Sequence, residues 1–467
     1  MHLDHEEENY NLSLSKFESM LKTNKVLFFD SEEFEEIILH YLDMGKTNLA
    51  KKALKIGLEQ HPKSTGLKLV QVEMLIFEDK LELAEKLLND LYFLEPTNEE
   101  IYIQKANIYS KRDDHEKAVE LLSEALQYTE DYSDIYNLIG MEYLFMDNLE
   151  MAKVNFIKCL EEDIEDQSAI YNVVYCFEFL DQNQAAIEYL KKYINKNPYS
   201  EIAWHQKGRL YYGIKDYENA VRSFEYATYI DDNFVGAFME KGKSLERLKR
   251  HEDAIESYAK TIELDDPTSY ALLRIGKCYE KLGKNKEALA FFNKTVHEDP
   301  LLDKGWIAIT DFYVRQKKYE KALEHVNKAL SIDDQNQAYW KRFATINKAL
   351  NLFEDAEYGY RKAVELGDYQ LDTWLFWVDV LVNLNETDSA IVTLLQASEY
   401  FPEEYEVEYR LAGLYYTQNE AEKGSFHLNN GLRLNFNNHT LLNELFPAIW
   451  NLEKVQSLIN KYQTNEK

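Results

Sequence analysis

Residues 201–232 read EIAWHQKGRLYYGIKDYENAVRSFEYATYIDD, and the spacing of large and small side chains in this stretch decides the fold. Within each half, spacings of three, four and seven place the large residues on one helical face. A short polar turn, GIKD at 213–216, separates the two halves. The stretch is therefore predicted to be a pair of antiparallel helices. Its landmark residues are Trp204, Lys207, Gly208, Tyr211, Ala220, Phe224 and Ala227.

One small residue recurs every 34 positions along most of the chain. Such regular internal spacing means that one structural unit is stacked repeatedly, with a small side chain wherever two helices cross closely. A second series, of prolines, marks the end of units, because proline cannot continue a helix. The alanines are Ala50, Ala84, Ala118, Ala152, Ala186, Ala220, Ala254, Ala288, Ala322, Ala356 and Ala390, with Gly424 next in the series. The prolines are Pro62, Pro96, Pro198, Pro300 and Pro402.

This pattern resembles the tetratricopeptide repeat, which has the same 34-residue period and the same order of landmark residues. The resemblance covers residues 31–438 as twelve repeats and implies an all-α fold, a right-handed α-solenoid of stacked antiparallel helix pairs. Residues 1–30 are expected to form an acidic tail and an N-terminal capping helix, and residues 439–467 a degenerate C-terminal capping repeat. In this family the first helix of each repeat lines a concave groove, with positions 2, 5, 9, 12 and 13 facing it.

Composition and termini limit the classes of partner. The chain has 467 residues and a formal charge of −30, which argues against nucleic acid and against an anionic membrane surface. No run approaches the ~20 apolar residues of a membrane span, so no membrane insertion is expected. The acidic N-terminus does not resemble a secretory signal. These features predict a cytoplasmic protein, and its composition suggests a bacterial source.

Sequence signals of catalysis are missing from the chain. It contains no G-x-x-x-x-G-K-[ST], H-E-x-x-H or G-x-S-x-G motif. The histidines lack the spacing of metal ligands, and the three cysteines are predicted to be small buried side chains. We therefore expect a protein that is not an enzyme and needs neither cofactor nor metal.

Basic residues are concentrated at the groove positions of repeats six to ten, which we call the basic stripe. Such a stripe can attract and hold carboxylate or phosphate groups. The alternative is that these side chains are solvated or paired with acids elsewhere in the stack. The stripe consists of Arg209, Lys243, Arg247, Lys277, Lys281, Lys304, Arg315, Lys341 and Lys348.

The other seven repeats place ten acids and only one base, Lys111, at the same positions. Some relatives hold a C-terminal carboxylate with a clamp of lysine, asparagine and arginine. Arg274 matches the last arginine of that clamp and joins the candidate ligands, but His205, Arg209 and Glu240 depart from its pattern.

Apolar and aromatic residues occupy the groove positions on the N-terminal side of the basic stripe. Side chains of this kind suit the recognition of an extended or helical peptide. Packing between neighbouring first helices is the alternative. The candidates are Met141, Phe145, Tyr171, Tyr175, Phe179, His205 and Tyr212.

The C-terminal segment is unusually apolar for the end of a solenoid, where a polar outer face is normally needed. Leu442, Phe446, Ile449 and Trp450 are therefore candidates for docking a partner or a second copy of the chain, so that the protein would be a monomer or a homodimer through its terminal repeats. The alternative is packing against the twelfth repeat.

These observations predict a non-catalytic scaffold or adaptor for protein–protein interaction. Its partner would be a peptide or protein segment, acidic with apolar anchors, bound in the concave groove. The alternative is a regulatory subunit that docks a larger enzyme or secretion complex through its terminal repeats.

Overall fold

A computed structural model describes residues 2–23, 27–264 and 268–465, with side chains for 13–23, 27–264 and 268–463. Every regular element in these ranges is helical. The chain divides into two compact units, unit 1 at 1–237 and unit 2 at 238–467, which are described separately. None of the described helices is both long enough and apolar enough to cross a membrane.

Unit 1 begins with a single helix, which is followed by successive helix pairs. Its helices are α1 (His2–Thr23), α2 (Ser31–Asp43), α3 (Thr47–Gln60), α4 (Thr65–Phe77), α5 (Leu81–Leu94), α6 (Glu99–Lys111), α7 (His115–Ala125), α8 (Tyr132–Phe145), α9 (Leu149–Glu162), α10 (Gln167–Phe179), α11 (Asn183–Lys196), α12 (Glu201–Gly213) and α13 (Tyr217–Ile230).

Unit 2 continues the pairs, and the boundary between the units falls inside its first helix. The helices are α14 (Val235–Arg247), α15 (His251–Glu263), α16 (Ser269–Lys281), α17 (Asn285–Glu298), α18 (Asp303–Arg315), α19 (Tyr319–Ile332), α20 (Gln337–Ala349), α21 (Phe353–Glu365), α22 (Leu371–Asn383), α23 (Thr387–Tyr400), α24 (Tyr405–Thr417), α25 (Ala421–Leu434), α26 (Leu441–Leu445), α27 (Pro447–Trp450) and α28 (Glu453–Asn465). A 3₁₀ turn, Phe436–Asn438, follows α25.

The pairs from α2 to α25 keep a common register. Repeats are numbered from residue 31, with a new repeat every 34 residues. In each repeat the first helix spans positions 1–13 and the second helix begins at position 17. Helix α8 begins one residue earlier, and α7, α15 and α21 end earlier than the other second helices. The all-α helical-repeat fold expected from the sequence is confirmed.

A left-handed backbone residue closes the turn between the two helices of every repeat. It always stands at position 15, and its φ lies between +55° and +72°. Only Gly45 and Gly283 meet this requirement with glycine, whereas the other ten turns use aspartate, asparagine or lysine. Left-handed backbone is strained for residues with a Cβ, and aspartate and asparagine tolerate it better than lysine does.

Position 20 is a buried contact with room only for a small side chain. All eleven alanines of the 34-residue series are fully buried. At Gly424, the twelfth member, an added Cβ would lie 2.8 Å from Cδ2 of Tyr416. The large tyrosine on the first helix therefore explains why the series ends on glycine.

The residues at positions 8 and 24 of one repeat complement each other in size. Gly140, Gly208, Gly242 and Gly276 face Phe156, Phe224, Tyr258 and Phe292, and a Cβ on any of these glycines would lie 2.5–2.6 Å from the ring. In most other repeats a larger residue at position 8 is matched with a leucine at position 24, as Ala106 is with Leu122. The exceptions are Thr310 with Val326 and Ala344 with Tyr360.

In several repeats an aromatic residue at position 4 forms a hydrogen bond with the chain that precedes the repeat. Trp204 Nε1 donates to the carbonyl of Pro198 at 3.0 Å, and Tyr102 Oη donates to that of Pro96 at 2.9 Å. In unit 2 the indole of Trp306 donates to the Pro300 carbonyl in the same way. These bonds satisfy carbonyl groups beyond the ends of the preceding helices.

The three cysteines are buried and unpaired, as the sequence predicts. Burial raises the pKa of the Cys159 thiol to about 12 and that of Cys176 to about 11. Both thiols are therefore protonated at neutral pH.

Candidate functional site

The side chains at positions 2, 5, 9, 12 and 13 of the first helices form what we call the first-helix face. In unit 1, α2 packs against α4, α4 against α6, and α10 against α12. Neighbouring first helices of unit 1 therefore contact each other directly from α2 to α6 and from α10 to α12. Each second helix from α3 to α11 packs against the first helix of its own repeat and against the first helix of the next repeat, as α9 does against α8 and α10.

Exposed aromatic rings form a ladder on the first-helix face of unit 1. Tyr171, Tyr175 and Phe179 follow one another at i, i+4 and i+8 on α10 and are 42%, 43% and 65% exposed. The ring centroids of Tyr175 and Phe179 are 4.4 Å apart. Phe145, on α8, is 60% exposed. We call these four residues the aromatic ladder.

The remaining apolar candidates are not freely available. Met141 is partly buried against the core of repeats four to six. Tyr212 is also partly buried and meets Tyr217 edge-on, with centroids 5.3 Å apart.

The prediction that His205 contacts a ligand is wrong, because this side chain is buried. Its ring is 9% exposed and packs against Phe224 and Phe234, with centroids 5.6 and 4.8 Å away. Burial, together with the nearby Arg209, lowers its pKa to about 4, so the ring is neutral at pH 7. His205 belongs to the core rather than to a ligand surface.

Most of the basic stripe is paired with carboxylates, mainly from the neighbouring repeat. This finding weakens the prediction of an acidic ligand, since the pairs neutralise the charge that would attract one. The N···O distances are 3.7 Å for Arg209–Glu178, 3.9 Å for Lys243–Glu240, 2.7 Å for Arg274–Glu246, 2.9 Å for Lys341–Asp372 and 3.0 Å for Lys348–Asp379, and Arg315 pairs with Glu280.

Two lysines on α16 form no such ion pair. Among the described residues, no carboxylate lies within 4 Å of the ammonium of Lys277 or Lys281. Burial and the neighbouring Arg274 lower the pKa of Lys277. Arg247, Lys281 and Lys304 are exposed. The cationic part of the stripe that a ligand can use is therefore centred on α16.

The C-terminal candidates pack into the protein. Leu442 is fully buried and Ile449 is 6% exposed, in a cluster with Tyr409 and Leu428. Phe446 lies directly on Gly413, where an added Cβ would be 2.2 Å from its ring. Trp450 is partly buried in the same cluster. The prediction that Leu442 and Ile449 dock a partner is therefore wrong, because their side chains are already buried.

Two residues that the sequence analysis left out also belong to the first-helix face of unit 1. Phe77, at position 13 of its repeat, is 75% exposed. The Oδ1 atom of Asn137, at position 5, is buried without a hydrogen-bond partner. The recurrence of phenylalanine at position 13, in Phe77, Phe145 and Phe179, was the signal available in the sequence.

Within the described residues, no group of three or more histidine, cysteine or carboxylate side chains is arranged to hold a metal ion. The arrangement offers rings, charges and hydrogen-bond acceptors for contact with another molecule.

Comparison with known proteins gives the family. Tetratricopeptide repeat models match residues 99–132, 133–163, 202–234, 239–302 and 304–336. A curated relative, anaphase-promoting complex subunit 3 of Schizosaccharomyces pombe, is 25% identical over 137 residues, or 29% of this chain. The chain matches only 21% of that relative's length.

Solved structures of repeat proteins are also similar. The anaphase-promoting complex hetero-tetramer Cut9–Hcn1 is 14% identical, with 86% of this chain and 93% of that chain covered and a TM-score of 0.37. YrrB, described as a tetratricopeptide repeat protein with an unusual peptide-binding site, is 23% identical, with coverage of 39% and 95% and a TM-score of 0.34.

The repeat models match at the register that the helices show, and the recurring positions 8, 15, 20 and 24 are occupied as stacked helix pairs require. Proteins built from these repeats act as scaffolds for protein interaction. The chain is a tetratricopeptide repeat protein.

Proposed function

We propose that this protein is a non-catalytic scaffold that binds a segment of a partner protein along the first-helix face of unit 1. The observation that carries the proposal is the aromatic ladder. Four exposed rings lie at face positions of two successive first helices, α8 and α10. Exposed apolar patches of this kind mark interaction surfaces.

The ladder has the properties of an anchor site. Tyrosine and phenylalanine present large, rigid surfaces that lose little conformational freedom on binding, and aromatic residues often dominate binding energies. Burying one such ring contributes about 1.5–3 kcal/mol. The ladder rings are held by regular helices, so the surface is preformed and needs little ordering when the partner binds.

A second candidate is an acidic segment that binds unit 2 at α16. Lys277 and Lys281 favour it, since they lack carboxylate partners and stand one helical turn apart. The paired cations of the stripe contribute less, because a ligand would have to displace Glu246 or Glu280 from its arginine.

Docking through the terminal repeats, as a regulatory subunit would use, has weaker support. Of the four C-terminal candidates, only Phe446 and Trp450 retain accessible surface, and both pack within the chain. We therefore place the binding site on the first-helix face.

The proposal is tested by affinity capture with the full-length protein as bait. The variant Tyr175→Ala/Phe179→Ala removes half of the ladder from exposed positions, so the fold should persist. Its matched control is Phe93→Ala/Tyr229→Ala, which removes two rings that are at least as exposed but lie at position 29 of second helices.

A partner captured by the wild type and by the control, but lost with the ladder variant, supports the proposal. Purified partner should then bind the ladder variant about tenfold or more weakly, which corresponds to about 1.4 kcal/mol. A partner lost only with Lys277→Glu/Lys281→Glu would favour the second candidate. A partner retained by both variants would contradict both placements.

A further inference from the structure

Among the described residues, six carboxylates on the first-helix face of unit 1 have no lysine or arginine partner, whereas Glu178 on α10 pairs with Arg209. Within the described part of the chain, none of the six below lies within 4 Å of a lysine or arginine nitrogen. In unit 2, by contrast, Glu246, Glu280, Asp311 and Asp379 are all paired with basic side chains. The unpaired acids are Glu32, Glu35, Asp43, Glu73, Glu100 and Asp134, and we call them the acidic row.

The acidic row is crowded as well as unpaired. Burial and the nearby Glu100 and Asp43 raise the pKa of Glu73. Burial and Glu32 raise the pKa of Glu35. The surroundings of Glu35 and Glu73 therefore disfavour their charged form, and a bound cation would relieve the repulsion from the neighbouring acids.

Aromatic rings stand beside the acids on the same helices. Glu73 and Phe77 are one turn apart on α4, and Asp134 shares α8 with Phe145 of the ladder. Aromatic faces attract guanidinium and ammonium groups, and carboxylates pair with them. The rings and the acids therefore favour the same kind of ligand.

The length of the row favours a polypeptide over a small cation. Five first helices, α2, α4, α6, α8 and α10, carry the acidic row and the ladder. At about 8–10 Å between neighbouring helix axes, five helices in succession extend over roughly 32–40 Å. An extended chain covers that distance with about a dozen residues.

We propose that the first-helix face of unit 1 binds a lysine- and arginine-rich segment of a partner protein, with apolar residues of that segment on the aromatic ladder. This inference rests on the proposed scaffold function and adds the chemical class of the partner. It differs from the acidic ligand that the basic stripe predicts, because the stripe is largely neutralised within the protein and the acidic row is not.

The test uses a fluorescent peptide of about twelve residues, the length that spans the row. The basic probe alternates lysine or arginine with leucine or phenylalanine, and the acidic probe replaces each basic residue with glutamate. Anisotropy is measured with the full-length protein at low salt and at physiological salt, where charges are screened beyond about 8 Å. We expect the basic probe to bind and the acidic probe to bind at least about tenfold more weakly.

Two charge variants separate a site from the overall negative field of the protein. Glu73→Gln/Glu100→Gln removes two charges from the acidic row, and Glu82→Gln/Asp90→Asn removes two from α5, a second helix nearby. Folding is checked by circular dichroism. The row variant should bind the basic probe about fivefold or more weakly than the wild type does. The control variant should bind it less than about twofold more weakly.

Equal losses in the two charge variants, or no binding of the basic probe at low salt, overturn the inference. Tighter binding of the acidic probe also overturns it. If the acidic probe binds and Tyr175→Ala/Phe179→Ala abolishes that binding, the scaffold proposal stands without the cationic partner. If the ladder variant changes the binding of neither probe, the proposed placement of the scaffold site is wrong as well.

Discussion

Gly208 lies against the ring of Phe224 so closely that an added Cβ would be 2.6 Å from Cε1 of the phenylalanine. The two residues belong to the two helices of one repeat, and Phe224 is fully buried. The same relationship joins Gly140 to Phe156 and Gly276 to Phe292. The close approach of the two helices therefore depends on the absence of one methyl group.

Gly208→Ala is expected to destabilise the protein. Alanine gains about 1 kcal/mol of helix propensity over glycine, but forcing a methyl into a packed core costs about 1–3 kcal/mol. Adding Phe224→Leu should recover part of the loss, because Ala106 and Leu122 show that this pair fits the repeat. Denaturant unfolding of the two single variants and the double variant measures the coupling. Additive effects would show that the two residues do not compete for space.

Position 15, in the turn between paired helices, has a left-handed backbone, so replacing glycine there and introducing glycine there should have opposite effects on stability. Gly283 has φ +72°, and a Cβ there would contact nothing within 4 Å, so Gly283→Ala should cost about 1 kcal/mol from backbone strain alone. Lys317 has φ +57° at the equivalent position, so Lys317→Gly should stabilise by up to about 1 kcal/mol. Thermal unfolding checks both. A stabilising Gly283→Ala would contradict this reading of the turns.

Lys207 is expected to weaken the fold at neutral pH. It stands at position 7, where Ile139 and Ile275 occupy other repeats, and its Nζ lies 3.4 Å from the centroid of the Trp204 ring. Burial, with the neighbouring Lys191, lowers its pKa to about 8. The cation–π contact offsets only part of this penalty. Lys207→Met should therefore raise the melting temperature at pH 7.

The sign of the pH dependence follows from the direction of that pKa shift. Between about pH 8 and the unfolded value near 10.5, the unfolded state binds more protons at Lys207 than the folded state does. Stability from this group therefore rises with pH across that window. The advantage of Lys207→Met over the wild type should shrink over the same range. An advantage that stayed constant with pH would point to packing rather than charge.

The C-terminal segment is expected to contribute stability rather than a docking site. Leu442→Ala should destabilise unit 2 by about 2–5 kcal/mol, because Leu442 is fully buried. Hydrogen exchange should then show faster opening of α24 to α28. Capture of a partner that depends on the aromatic ladder should not change. Loss of that partner without a loss of protection would restore the docking interpretation.

The fold was predictable because steric limits recur at fixed positions. The fully buried alanine at position 20 and the glycines at position 8 that face aromatic rings mark close approaches of two helices, which tolerate no larger residue without repacking. Such limits leave a periodic trace in the sequence. The left-handed residue at position 15 was harder to see, because lysine, aspartate, asparagine and glycine all occur there.

The candidate site was less predictable, since equivalent positions differ in their surroundings. Tyr171 and His205 both stand at position 5, but Tyr171 is 42% exposed and His205 is buried beneath Phe234. The partners of the basic stripe depend on which side chains reach across to the next helix. Lys348 and Asp379 are a base and an acid about one repeat apart in the sequence, and they form an ion pair. This spacing indicates ion pairs between neighbouring repeats, but it is visible only when the repeats are compared with each other.

The matched sizes at positions 8 and 24 bear on how such an array changes during evolution. Both members of each pair lie in the same repeat, so a copied or deleted 34-residue segment carries its own fitting partners with it. Gene duplication can thus lengthen the array without a compensating mutation at this contact. Substitutions within a repeat are more restricted, because replacing the glycine alone creates a clash and replacing the ring alone leaves a cavity. At this contact, whole repeats are easier to exchange than single residues.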